Sequence, residues 1–101
     1  MNYLDDPKFT RAVALFRMEF RAMQRLHAFL RSAYAEHGCS GNVVSGGHCD
    51  GWPQSAKQRS RRLNRMINRL QHAAFKARPP RFQHRTMRNL RLDVQIDESR
   101  K

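Results

Sequence analysis

The first third of the chain places apolar side chains at helical spacing. From Pro7 to about residue 36 they recur in alternating steps of four and three, with no glycine and no further proline. This period is typical of an amphipathic helix, and Asp5 and Asp6 before Pro7 form a helix-start signal. One apolar row consists of Phe9, Val13, Phe16, Phe20, Met23, His27, Leu30 and Tyr34, and a second of Leu15, Met18, Ala22, Leu26, Phe29 and Ala33. Two rows are more than one neighbouring helix covers, so helix 1, about residues 7–36, is expected to dimerise into a helical bundle.

A second helical pattern, about residues 55–78, separates its two faces by chemistry. The apolar face consists of Leu63, Met66, Ile67, Leu70, Ala73, Ala74 and Ala77, and the opposite face carries Arg62, Arg65, Arg69, His72 and Lys76. Pro79 and Pro80 end the pattern. The two helices are expected to form a long hairpin that leaves the basic face of helix 2 open. Between them, residues 37–54 hold all five glycines, a loop length that is usually functional or ordered by something bound.

The C-terminal third gives two signals. Phe82, Thr86, Met87 and Leu90 fit a short third helix, whereas Leu90, Leu92, Val94 and Ile96 alternate with polar residues as in a β-strand. A strand needs a partner, and the candidates are residues 2–4, residues 43–44 or the same strand of a second copy. The predicted fold is therefore mainly α: a single domain over residues 1–101 with a two-helix hairpin, a glycine-rich loop, a basic C-terminal segment with a strand over residues 79–96, and a tail over residues 97–101.

The positive charge is concentrated in one segment. The chain has 20 Lys and Arg against 8 Asp and Glu, which gives a formal net charge of +12. Residues 51–92 contain twelve basic residues and no acid, so the whole net charge belongs to this segment. The twelve are Lys57, Arg59, Arg61, Arg62, Arg65, Arg69, Lys76, Arg78, Arg81, Arg85, Arg88 and Arg91. Arg dominates, and its guanidinium grips phosphate through two parallel hydrogen bonds, although a GC-rich genome produces the same bias.

This acid-free surface predicts binding to nucleic acid, because each neutralised phosphate releases condensed counterions. A merely solvated helix face ordinarily interleaves both charge signs. The expected binding residues are Arg61, Arg62, Arg65, Arg69, His72, Lys76, Arg78, Arg81, Arg85 and Arg88. About 17 residues separate the two helices, which excludes the tight turn of a helix-turn-helix. Contact with DNA or RNA is therefore expected to be mainly electrostatic.

The alternative function is that of a small inhibitor or adaptor. Such a protein, of the phage type that blocks a host enzyme or a defence nucleoprotein complex, would dock on an acidic protein surface through the same basic residues. Three aromatic residues in the basic half also have two interpretations. Trp52, Phe75 and Phe82 either stack on unpaired bases or plug a small core.

The glycine loop contains residue types that bind zinc. His37, Cys39, His48 and Cys49 bracket the loop and could supply four ligands. Their spacing disfavours a chelate, because adjacent His48 and Cys49 point apart in an extended chain. Free buried thiols and a Cys39–Cys49 disulfide are the alternatives. Apart from zinc, no cofactor is expected.

No catalytic set is visible, so the protein is not expected to be an enzyme. The acids are scattered, and Cys49 beside Asp50 with His37 or His48 is a weak thiol-nucleophile pattern. The N-terminus lacks the pattern of a signal peptide, and no apolar run reaches the roughly 18 residues of a membrane span. Two cysteines are too few for a disulfide scaffold, which favours a cytoplasmic location.

Overall fold

The computed structural model describes residues 3–101, which fold into three α-helices. Two short 3₁₀ turns, Tyr3–Asp5 and Pro7–Phe9, precede α1 (Thr10–His37), which is followed by α2 (Gln54–Lys76) and α3 (His84–Ser99). No β-strand is found in this part of the chain; an isolated antiparallel bridge joins Val43 and Cys49. The mainly helical fold predicted from the sequence is confirmed.

The predicted C-terminal strand is wrong, because residues 84–99 form α3. Met87, Leu90 and Val94 are spaced three and four apart, and all three are fully buried. Leu92 and Ile96, which the alternating pattern placed with them, are 52% and 49% exposed. The apolar positions of this segment satisfy both periods, and packing selects the helical one.

The chain forms two compact units. The terminal unit comprises residues 3–21 and 68–101, and the central unit comprises residues 22–67. Helices α1 and α2 each have one part in the terminal unit and the other part in the central unit. The apolar side chains of α1 therefore belong to two separate cores.

The core of the terminal unit is built by α1, α2, α3 and both 3₁₀ turns. Its fully or nearly buried side chains are Leu4, Phe9, Ala12, Val13, Phe16, Ala74, Met87, Leu90 and Val94. Aromatic rings close its margins in edge-on contacts, with centroids 4.8 Å apart for Phe9 and Phe82 and 5.8 Å apart for Phe16 and Phe75. Here α1 and α2 pack closely together, and α3 adds Met87, Leu90 and Val94 to the same core.

Polar contacts fix α3 against the N-terminal part of the chain. The Glu19 side chain is fully buried, and its Oε1 accepts a hydrogen bond from Arg91 Nε at 2.8 Å. Arg17 Nε lies 3.2 Å from Glu98 Oε1. The Tyr3 hydroxyl donates to the Asp93 carboxylate, and burial together with this neighbour raises the pKa of Tyr3 to about 12. Because the Glu19 side chain is fully buried, loss of Arg91 would leave a carboxylate that water cannot stabilise.

The core of the central unit orders the glycine loop. Ala33, Cys49, Trp52 and Ala56 are buried, with Phe29, Leu30 and Tyr34 packed against them. A disulfide joins Cys39 to Cys49, whose Cα atoms are 5.6 Å apart. Trp52 Nε1 donates to the Gly38 carbonyl and the Tyr34 hydroxyl donates to the Gly47 carbonyl, each at 2.7 Å. The loop is thus held by a cross-link, two aromatic anchors and its own backbone.

One glycine in this loop is required by close approach. Asp50 Oδ1 accepts a hydrogen bond from the Asn42 backbone at 2.8 Å. A side chain at Gly41 would overlap the same Asp50 carboxylate. Gly41 therefore lets the Asp50 carboxylate pack directly on the loop backbone.

Loss of the Arg91 guanidinium is expected to destabilise the protein. Arg91→Ala leaves the buried Glu19 carboxylate without this partner and should lower the free energy of unfolding by about 3 kcal/mol. Arg88→Ala, at an exposed position one turn earlier on α3, should change it by less than about 0.5 kcal/mol. Urea unfolding at neutral pH measures both. Adding Glu19→Gln to Arg91→Ala should restore part of the lost stability. Equal free energies of unfolding for Arg91→Ala and Arg88→Ala would refute the role of the ion pair.

Candidate nucleic-acid interface

All ten basic residues predicted to bind nucleic acid are exposed. In the central unit, α2 carries Arg61, Arg62 and Arg65. The terminal unit carries the remaining seven: Arg69, His72 and Lys76 on α2, Arg78 and Arg81 after it, and Arg85 and Arg88 on α3. Within each unit, the members on one helix are spaced three or four residues apart or adjacent, so successive turns display positive charge.

None of these ten side chains forms an ion pair within residues 3–101. The pairs found there engage Arg17, Arg21, His37, Arg91 and Lys101. Arg78 Nη1 donates to the Phe75 carbonyl at 3.2 Å, a contact that neutralises no charge. The ten positions therefore present uncompensated positive charge to solvent, as a phosphate-binding surface requires.

The acids are engaged elsewhere, which explains why the ten cations stay unpaired. Asp6 caps the turn before α1 by accepting from the Lys8 backbone at 3.0 Å, and Asp50 accepts from the Asn42 backbone. Asp93 accepts from Tyr3, and Glu19, Glu36, Asp97 and Glu98 pair with other cations. Seven of the eight carboxylates are thereby committed to contacts outside the predicted set.

The three aromatic residues proposed for base stacking belong to the cores. Trp52 is 3% exposed and centres the core of the central unit. Phe75 and Phe82 are half-buried and pack against the core of the terminal unit. The geometry thus favours their interpretation as core plugs.

The predicted zinc ligands do not assemble into a metal site. Cys39 and Cys49 are joined in a disulfide, so neither sulfur is a thiolate available to zinc. No cluster of three or more His, Cys, Asp or Glu able to hold a metal ion occurs between residues 3 and 101. His48 instead points Nδ1 at Ser60 Oγ, 3.1 Å away in a buried contact. Of the alternatives open from the sequence, the structure contains the disulfide and not the free thiols.

Sequence reasoning missed a cavity of about 590 Å³ in the central unit. It is lined by Arg25, Ala28, Phe29, Ser32, Arg59 and Leu63. Arg59 belongs to the basic segment but not to the ten predicted binding residues, and Arg25 lies outside both sets. The signal was available in part, since both lie beside apolar positions of their helices. The cavity itself cannot be predicted from the sequence, because it depends on which faces of α1 and α2 meet.

Arg81 adopts a backbone conformation that disfavours a side chain. Its φ is +78°, the one positive φ at a non-glycine residue among residues 3–101. The Phe82 backbone N–H donates to the Pro79 carbonyl at 3.3 Å, so Pro80 and Arg81 form the centre of a tight turn. Such a position ordinarily holds glycine, and an L-residue there costs about 1 kcal/mol.

Arg81→Gly is expected to weaken nucleic-acid binding without weakening the fold. The free energy of unfolding should stay unchanged or rise by up to about 1 kcal/mol, because the left-handed strain is relieved. The matched control Arg85→Gly removes an exposed arginine from the first turn of α3 and should destabilise by up to about 1 kcal/mol. Chemical unfolding and a binding titration measure both variants. Equal destabilisation by the two substitutions would contradict the account of Arg81.

His48 makes the stability of the protein sensitive to pH. Burial lowers the pKa of His48, the positive charges of Arg61 and Lys57 lower it further, and Asp50 opposes them. In the unfolded chain the imidazole titrates near its ordinary value of about 6.5. Above that pH both states are neutral and nothing changes. Below it the unfolded state gains a proton first, so stability falls as the pH drops through 6.5 towards the lower folded pKa.

The expected result is a larger loss of thermal stability between pH 7.5 and 5.5 in the wild type than in His48→Gln. His72→Gln, an exposed histidine on the same helix as Ser60, should behave as the wild type does. Thermal unfolding at the two pH values, chosen about one unit either side of 6.5, measures the difference. An identical pH dependence in the wild type and His48→Gln would refute the assignment.

Comparison with known proteins adds no relative. No family model, curated protein or solved structure gives a significant match to this chain. None of the helices within residues 3–101 combines the length and the apolar character that crossing a membrane demands. The candidate interface is therefore defined by its residues alone, ten exposed cations without acidic partners within residues 3–101. The cavity of the central unit carries two more arginines.

Proposed function

We propose that the protein binds nucleic acid, DNA or RNA, through contacts of basic side chains with backbone phosphates. The observation that carries the proposal is the absence of any acidic partner for ten exposed basic residues within residues 3–101. Exposed cations without acidic partners attract anions more strongly than paired cations do. The protein acts as a binding protein and not as an enzyme.

The identity of the cations supports phosphate as the partner. Eight of the ten residues are arginines, and the guanidinium can hold two oxygens of one phosphate at once. Helix α2 supplies six of the ten, so their positions are set by a continuous backbone and not by a mobile loop. Contacts of this kind position a protein on a strand and carry no sequence information by themselves. Binding is therefore proposed to be insensitive to base sequence.

Salt dependence is the measurement that tests this function. The affinity for a fluorescently labelled oligonucleotide should fall steeply between about 50 and 300 mM salt, because bound phosphates release counterions. The double variant Arg62→Gln/Arg65→Gln should reduce the slope of log K against log salt by about 2. The control, Arg11→Gln/Arg31→Gln, removes two exposed arginines of α1 outside the proposed set.

The control variant should keep the wild-type slope. No detectable binding at about 50 mM salt, where electrostatic association is strongest, would overturn the proposed function. Equal slopes for the two double variants would show that net charge, and not the basic face of α2, governs the affinity.

The alternative proposal is an inhibitor or adaptor of the phage type that docks on an acidic protein surface. The same unpaired cations support it, because carboxylates and phosphates are both held by guanidinium groups. Treatment with nuclease separates the two functions. A partner that stays bound to the protein after nuclease treatment supports an acidic protein, and one that is lost with the nucleic acid supports the first function.

We also propose a homodimer that uses α1. Much of the apolar surface that suggested it is covered within each unit, where Val13 and Phe16 of one row and Ala22 and Leu26 of the other are buried. The support that remains is Met18, which is 50% exposed on α1 of the terminal unit. Light scattering should give twice the chain mass of 11.9 kDa, and Met18→Glu should halve it. A wild-type mass of one chain would contradict the dimer.

A cytoplasmic location is proposed with one physical objection. Disulfides form and persist in oxidising compartments, and the cytoplasm keeps most thiols reduced. The Cys39–Cys49 disulfide therefore favours contact with an oxidant at some stage. If the bond is reduced, the hydrogen bonds of Trp52, Tyr34 and Asp50 and those of the loop backbone remain to order the loop.

A further inference from the structure

The cavity of the central unit has the size of a small-molecule site. Its volume of about 590 Å³ lies within the range of about 300–1,000 Å³ found for ligand pockets. Four of its residues come from one face of α1, where Arg25, Ala28, Phe29 and Ser32 occupy relative positions 0, 3, 4 and 7. Arg59 and Leu63 on α2 are one turn apart and form the other wall.

The cavity has an apolar floor and a polar rim. Phe29 and Leu63 are half-buried, whereas Arg25, Ser32 and Arg59 are exposed. The Phe29 ring meets Trp52 edge-on with centroids 6.3 Å apart, which attaches the floor to the core of the central unit. A ligand would therefore find a fixed aromatic and aliphatic surface beneath two guanidinium groups and one hydroxyl.

The two arginines lack acidic partners. Neither Arg25 nor Arg59 forms an ion pair within residues 3–101, and no lining residue is acidic. The Arg59 Cζ atom lies over the Phe29 ring, 5.0 Å from its centroid. This cation–π contact covers one face of the ring in the free protein, and the N–H groups, which lie in the guanidinium plane, can still donate. Two unpaired cations at the rim of an apolar cavity favour a ligand that is anionic at one end and flat and apolar at the other.

We propose that this cavity holds one nucleotide of a single strand, whose base displaces the Arg59 guanidinium from the Phe29 ring to lie on Phe29 and Leu63 and whose phosphate is bound by Arg25 and Arg59. The inference rests on the proposed nucleic-acid binding and specifies the form of nucleic acid. In a duplex the bases are paired and stacked inside, so the apolar floor is accessible only to an unpaired base. Inorganic phosphate would use the rim and leave the floor empty.

The cavity adjoins the predicted basic residues of the same unit. Arg62 lies one turn after Arg59 on α2, and Arg65 one turn after Arg62. A strand with one nucleotide in the cavity can therefore place neighbouring phosphates near these two side chains. The basic face supplies general affinity, and the cavity supplies the preference for a single strand.

The test compares one short oligonucleotide as a single strand and as a blunt duplex at about 50 mM salt. Arg25→Gln and Arg59→Gln should each weaken single-strand binding about tenfold, the effect of one lost charge-assisted contact. Neither should weaken duplex binding more than Arg31→Gln does, which removes an exposed arginine of α1 outside the cavity. Arg59→Lys, which keeps the charge and loses the fork, should fall between the wild type and Arg59→Gln.

The wild-type protein provides a second measurement that needs no variant. Titration with AMP, followed by NMR, should shift the resonances of Phe29, Ser32 and Leu63, and inorganic phosphate should shift them much less. Equal losses of single-strand and duplex affinity in Arg25→Gln and Arg59→Gln, or AMP shifts that avoid the cavity, would overturn the assignment. Duplex binding that depends on Arg62 and Arg65 while the cavity variants match Arg31→Gln would refute the cavity alone. Failure of both oligonucleotide forms to bind would refute the proposed function with it.

Discussion

The placement of a few carboxylates governs both the fold and the surface of this protein. The chain has 20 Lys and Arg side chains and only eight acids, and most of the acids contact either the backbone or a cation of another helix. The buried Glu19 forms an ion pair with Arg91, and Glu98 forms one with Arg17. Asp50 accepts a hydrogen bond from the loop backbone. Each of these contacts stabilises a local arrangement and engages its carboxylate outside the ten predicted basic residues. Within residues 3–101 the basic side chains of α2 are left without an ion-pair partner.

Uncompensated charge has an energetic cost that a polyanion removes. Like charges one turn apart on a helix, such as Arg62 and Arg65, destabilise it by about 0.2–0.5 kcal/mol per pair. The repulsion is present in the free folded protein and is screened when phosphates approach. A nucleic acid that binds the folded chain would therefore stabilise it both by neutralising these pairs and by mass action. Under the proposed function, binding of phosphates would offset this repulsion.

The sequence predicted what depends on local periodicity. Helices α1 and α2 were foreseen because their apolar positions keep a helical period over many turns, and the exposure of the basic face followed from its separation from the apolar face of α2. The third helix was only half foreseen. Leu90 and Val94 fit both a helical and an alternating pattern, and the core that they share with residues distant in sequence, such as Phe16, selects the helix. No local rule contains that core.

The same limit explains the glycine loop. Its order depends on the pairing of Cys39 with Cys49 and on hydrogen bonds from Tyr34 and Trp52 to loop carbonyls. These contacts join residues ten to fourteen positions apart. The sequence left open free thiols, a disulfide and a zinc site that its spacing disfavoured. Only the folded loop distinguishes them.

The cavity of the central unit depends on this loop, because the Phe29 side chain that lines the cavity also packs against Trp52. Trp52 packs edge-on against both Phe29 and Tyr34 of α1, just before α2 begins at Gln54. The buried contact of His48 with Ser60 then fixes the first turns of α2 against the loop. Arg59 is the neighbour of Ser60 and is thereby placed over Phe29. The Arg59 guanidinium is therefore positioned with the help of the loop core, which is why it could not be assigned to a site from the periodicity of its own helix.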